Sequence, residues 1–86
     1  MEKILFICTK NSARSQMAEA WVNHDLAGRF EAFSAGTDPS AVHPMAVTVM
    51  REAGIDISNQ RSKGLEEFSG KQFDTVMTLC DQANES

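Results

Sequence analysis

Cys8 closes an apolar run, Arg14 and Ser15 open the next periodic one, and the residues between them, Thr9, Lys10, Asn11, Ser12 and Ala13, are small or polar. A buried structural cysteine needs none of this. Ligands of open α/β sheets sit at the carboxyl ends of strands, where Cys8 stands. The residues after it lead into the first turn of a helix, whose unpaired N–H groups and positive dipole end favour an anion. Wrapped into a nest, the amides of Thr9 to Ala13 would surround a tetrahedral oxyanion, and Arg14 would lay a planar fork of donors on two of its oxygens. The same field favours the ionised form of a thiol, and the Ser15 hydroxyl can donate to it. The layout suits thiolate attack on a phosphate-like centre. A nucleotide-binding loop of the G-x-x-x-x-G-K-[ST] kind is excluded, because no glycine lies between Cys8 and Trp21.

These residues need a strand before them and a helix after them. Lys3 to Cys8 is continuously apolar after Lys3, as in a strand covered on both faces of a parallel sheet. A helix is expected from about Ala13 to Leu26, with Met17, Ala18, Trp21, Val22 and Leu26 facing inward and Gly28 marking its end. Phe30 to Ser34 reads as a second strand. "SAGTDPS" reads as a loop in which Asp38-Pro39 is turn chemistry. Pro44 begins a second helix with the stripe Ala46, Val49, Met50, Ala53 before Gly54, and His43 precedes it as a loop residue. "IDISNQRSKG" reads as a loop, Leu65 to Phe68 as a helical turn, and Phe73 to Leu79 as a third strand ending at Cys80. Glu19 and Asp25 are expected to be exposed helix charges, and Trp21, Met17 and the Met45 to Met50 segment to be core. The βαβαβ order implies an α/β fold with a parallel sheet and right-handed crossovers. Only polar "DQANES" follows the third strand, so the domain is expected to be truncated there, with an open sheet edge available for self-association.

With 86 residues there is room for one domain, 1–86. Net charge is −4, from eight basic and twelve acidic residues spread along the chain, which argues against nucleic acid as a partner. No apolar run approaches the roughly 20 residues that span a bilayer, so no membrane association is expected. "MEKILFIC" lacks the basic start of a signal peptide, and a cytoplasmic location is expected. The two cysteines and two histidines lack metal-site spacing, so no metal is expected. Without secretory features, Cys8 and Cys80 point to catalytic or redox use before a structural disulfide.

"CTKNSARSQMAEAW", "SAG", "HPMAV", "GIDIS" and "TLCD" resemble, in order and spacing, the thiol-linked arsenate reductases of the low-molecular-weight tyrosine phosphatase superfamily, over nearly the whole chain. The resemblance implies a three-layer fold around a four-stranded parallel sheet, of which the first three strands are present. It implies that Cys8 is the nucleophile, Arg14 the anion-binding arginine and Ser15 the hydroxyl supporting the thiolate, with Asn11 holding the loop by bonding toward Ser34. Cys80 matches the cysteine that attacks the arsenylated nucleophile, releasing arsenite as a disulfide forms. If the first and third strands are neighbours, as the family order implies, their axes lie about 4.8 Å apart. A disulfide needs Cα atoms within roughly 7 Å, so modest loop movement would join Cys8 to Cys80. No bound cofactor is implied. The reducing partner is an external thiol of the thioredoxin or glutaredoxin/glutathione type.

The departures from the family pattern carry expectations of their own. Lys10 stands where glycine is usual, so either the backbone avoids a positive φ or the lysine accepts strain to add charge near the anion. Ala13 replaces a further cysteine found in many relatives. Lys63 replaces an aspartate that helps hold a monovalent cation near the loop, and its ammonium is expected to substitute for that cation. The superfamily's general-acid aspartate and a third redox cysteine would lie beyond Ser86. Three readings follow: an arsenate reductase, a phosphotyrosine or phosphate-ester phosphatase with Cys80 structural, and a non-catalytic oxyanion-binding fragment completed by another chain.

Overall fold

The computed structural model describes residues 1–79. β1 (Glu2–Cys8), α1 (Arg14–Asp25), β2 (Phe30–Gly36), α2 (Pro44–Glu52) and β3 (Thr75–Thr78) follow in order, with a turn of 3-10 helix, Leu65–Phe68, ahead of β3. Both strand pairings are parallel and the sheet order is β2-β1-β3, which makes the first and third strands neighbours, as expected. β1 and β2 run in register from Glu2 opposite Phe30 to Cys8 opposite Gly36, so the second strand extends two residues past its expected end. β3 is shorter than expected. Its flanks are still tied to β1, because Asp74 donates to the Lys3 carbonyl at 2.9 Å and Leu79 to that of Ile7 at 2.6 Å.

Side chains alternate across the sheet. Ile4, Phe6 and Ala32 form one core cluster, against which Ala18 and Val22 of α1 pack. Phe33 takes the opposite face and meets Phe68 and Phe73 edge-on, at centroid distances of 5.8 and 5.5 Å. A second cluster, Ala20, Ala46, Met50, Ile55 and Ile57, joins α1 to α2, so α2 rests on α1. Among the described residues the third layer is not supplied by an α-helix. The stretch after Ile57 lacks a long apolar run of helical period, and only the short 3-10 turn forms there.

Several burial expectations are corrected. Trp21, Leu26, Met45, Val49 and Ala53 are exposed. α1 instead buries Ser15, Gln16 and Ala20, because its first turns face a polar loop as well as the apolar core. Ile55 and Ile57, within the expected loop, are buried. Alternate positions of that extended segment insert under α2 and close the second cluster. No helix of the described residues is long and apolar enough to cross a membrane.

Residues 60–64 cross behind the end of β2 as a strap. Gly36 donates to the Lys63 carbonyl at 2.8 Å and forms a parallel bridge with Gly64. The Arg61 guanidinium forks onto both oxygens of Glu67, at 2.8 and 2.6 Å, and this holds the Glu67 carboxyl below the usual carboxylate range. On its other side Gly36 faces the chain after Cys8, where a Cβ would sit 2.6 Å from the Thr9 carbonyl oxygen and 2.9 Å from the Asn11 nitrogen. Only glycine fits.

Gly36→Ala should therefore destabilise the fold by about 1–3 kcal/mol, read as a lower urea midpoint at unchanged m. For Glu67, the folded carboxyl ionises below its unfolded value. Its pairing thus contributes stability above the unfolded value, which is lost as pH falls through the folded one. In urea titrations Glu67→Gln should lie slightly below wild type near pH 7 and converge with it as pH falls below the usual carboxylate range, the gap staying small because the pair is exposed.

Candidate functional site

β1 delivers Cys8 to the carboxyl end of the central strand, and residues 9–13 turn back into α1. Asn11 is the single non-glycine residue with positive φ, 52°, among the described residues. Asparagine visits this left-handed region more readily than most residues. The turn aims the Asn11 N–H at the Cys8 sulfur, 3.1 Å away. Ser15 Oγ lies 2.9 Å from the same sulfur and accepts a hydrogen bond from Asn11 Nδ2 at 2.8 Å. The Ser15 hydroxyl keeps its hydrogen and can donate it to the sulfur. The Asn11 N–H and the Ser15 hydroxyl thus converge on Cys8 Sγ.

Cys8, Lys10, Ser12, Ala13, Arg14 and Leu79 line a cavity of about 290 Å³ over this sulfur. Ala13 occupies the N-cap of α1 without a side-chain cap, so the positive helix end opens on the cavity unopposed by an acidic first turn. Lys10 does not adopt a positive φ, which settles the alternative left open by its replacement of glycine. Its ammonium pairs with Asp38 at 2.5 Å. Asp38-Pro39 therefore does more than turn the chain. Cys80 lies outside the described residues. A larger depression of about 680 Å³, lined by Lys3, Phe33, Lys71 and Phe73 among others, opens at the amino ends of the strands, away from Cys8.

The strap buttresses the loop from behind. Asn11 Oδ1 accepts from the Lys63 N–H at 2.7 Å and from Gln16 Nε2 at 2.9 Å. Gln16, fully buried, also donates to the Arg61 carbonyl at 2.8 Å and accepts from Gln60 Nε2 at 2.6 Å. Ser62 Oγ donates to the Lys10 carbonyl at 2.8 Å. Ser34, expected to meet Asn11, donates instead to the Glu19 carboxylate, because Gln16 and Lys63 already occupy the Asn11 oxygen. Glu19 is thus no solvated helix charge. Its side chain is 15% exposed, and Lys63 Nζ, on a side chain 14% exposed, stands 3.6 Å from it while donating to the Arg61 carbonyl at 3.0 Å. Sequence reasoning missed Gln16, Gln60, Ser62 and the depth of Glu19. The usable signal was the run Arg14, Ser15, Gln16, since consecutive helix residues cannot all face water.

The family model for low molecular weight phosphotyrosine protein phosphatase matches residues 3–86. The chain is 45% identical over 80 residues to the glutaredoxin arsenate reductase of a Synechocystis species, an alignment covering 93% of this chain and 61% of that protein. It superposes on a solved arsenate reductase in the phosphate-binding state with a TM-score of 0.87 at 45% identity, covering 93% of this chain and 61% of that one. On the thioredoxin-dependent arsenate reductase of Corynebacterium glutamicum the TM-score is 0.82 at 32% identity, covering 94% of this chain and 44% of that one. The chain spans about three-fifths of the length of the curated relative it matches. A cysteine over a helix N-terminus, a parallel sheet in the order β2-β1-β3 and a sequence match along nearly its full length together assign this chain to the low molecular weight phosphotyrosine protein phosphatase family.

Proposed function

We propose that this chain carries the oxyanion-binding, nucleophilic part of a cytoplasmic arsenate reductase. The observation that carries the reading is the convergence of the Asn11 N–H, at 3.1 Å, and the Ser15 hydroxyl, at 2.9 Å, on Cys8 Sγ at a cavity also lined by Arg14. Arsenate would sit on the amides of residues 9–14 with Arg14 across two of its oxygens. The Cys8 thiolate forms an S–As bond as one arsenate oxygen leaves as water. Cys80 then attacks Cys8 Sγ, the S–S bond forms, and the electron pair of the S–As bond stays on arsenic, which departs as arsenite. Two thiols are oxidised while arsenic gains two electrons. A thioredoxin- or glutaredoxin-type thiol restores the pair, as the names of two relatives suggest. Support for Cys80 as the resolving cysteine is that Leu79, its neighbour in sequence, lines the cavity.

The phosphatase reading is favoured by the family model's own description and by a cavity that needs no second cysteine to bind a phosphate ester. A third reading, completion of the sheet by a second chain, is favoured by the edge strand β3, where Val76 is 53% and Met77 47% exposed. Light scattering tests it, a stable monomer counting against it.

Cys8→Ser should abolish both arsenite formation and aryl phosphate hydrolysis. Cys80→Ser should abolish arsenite release and leave any aryl phosphate hydrolysis intact, whereas aryl phosphate hydrolysis without arsenite formation in the wild-type chain would support the phosphatase reading. Behind the loop, Lys63 is proposed to provide the positive charge of a bound cation. Lys63→Met, leaving Glu19 without its partner, should lower stability by about 3 kcal/mol and slow turnover, measured by urea unfolding and arsenite release. Lys63→Asp should instead make turnover respond to potassium. Wild-type stability in Lys63→Met together with potassium-independent turnover in Lys63→Asp would remove this role.

A further inference from the structure

We infer that Lys10 is a second cationic arm for the oxyanion and that Asp38 is its built-in competitor, setting how tightly the loop holds an anion. The inference rests on the oxyanion-binding reading of the Cys8 loop.

Lys10 lines the same cavity as Cys8 and Arg14, so its stem starts at the mouth of the site. Its ammonium is turned onto Asp38 at 2.5 Å, with the two side chains 54% and 69% exposed. The pairing is imposed by the backbone. Asp38 donates its N–H to the Thr9 carbonyl at 2.8 Å, and the Lys10 carbonyl accepts from the Ser40 N–H at 3.2 Å and from Ser62 Oγ at 2.8 Å. The two segments are thus stitched side by side, which brings a lysine and an aspartate at these positions within reach of each other. An exposed pair of this kind is worth about 0.2–1 kcal/mol, small enough for an arriving anion to break. Lysine is a point charge on a flexible four-carbon stem and can swing where an arginine fork would stay put. In a chain of net charge −4 the overall field repels anions, so the partition of one local ammonium between Asp38 and a guest affects affinity.

The test is titration of the 86-residue chain with inorganic phosphate at fixed ionic strength, followed by amide chemical shifts. Asp38→Asn should bind phosphate about two- to fivefold more tightly, the release of a pair of that strength. Lys10→Met should bind it more weakly than wild type. In the Lys10→Met background Asp38→Asn should produce a smaller gain, because the pair it breaks is already absent. A carboxylate that acted only by repelling the guest would give the same gain in the Lys10→Met background as in wild type, and that result overturns the competition. Phosphate binding in wild type with no gain in Asp38→Asn, or no loss in Lys10→Met, overturns this inference alone. Absence of phosphate binding in wild type overturns it together with the oxyanion-binding reading.

Discussion

One asparagine in a left-handed turn ties the molecule's three functional parts together. Through its backbone N–H Asn11 reaches the Cys8 sulfur, through Nδ2 it reaches Ser15 on α1, and through Oδ1 it reaches Gln16 and the strap at Lys63. The first of these follows from the positive φ that turns the N–H toward the sulfur. A backbone held in so sparsely populated a conformation persists where its surroundings over-determine it, and here the side chain is fully buried with its amide nitrogen and oxygen both bonded. The sheet, α1 and the strap can be regarded as the means of keeping that turn.

The charges follow the same division between front and back. The front of the loop places Lys10, Arg14 and the uncapped end of α1 around the cavity, in a protein whose net charge is negative. The back holds Glu19 against Ser34 and Lys63, mostly out of water. A carboxylate there without its ammonium would project negative potential through a low-dielectric interior toward the cavity over Cys8. With Lys63 in place the pair is close to neutral, and the front keeps its positive character.

What could be read from residues alone was what is local. The run from strand to Cys8 to Arg14 was legible because the chemistry follows directly from the ends of two consecutive elements, and β1, α1 and β2 begin within a residue or so of where their patterns place them. Burial was less legible. Trp21 and Leu26 share an apolar stripe with Val22, yet α1 is rotated so that Ser15 and Gln16 go inward, a choice made by the polar loop and not by the stripe. Glu19, Gln60 and Ser62 carry no local signal, since their partners lie 15 to 52 residues away in sequence. The alternation of Ile55 and Ile57 was visible and was outweighed by the turn-forming residues around it.

The strap also bears on how the protein completes the loop around Cys8. Asn11 and Lys63 are 52 residues apart, as are Lys10 and Ser62, so the environment of Cys8 is completed by contacts of high contact order. Closing so long a loop has an entropic cost that must be met before those contacts reward it, and such contacts tend to form late. A newly made or partly unfolded chain therefore lacks the contacts that hold the Cys8 loop from behind. The loop is buttressed only in molecules whose assembly is finished.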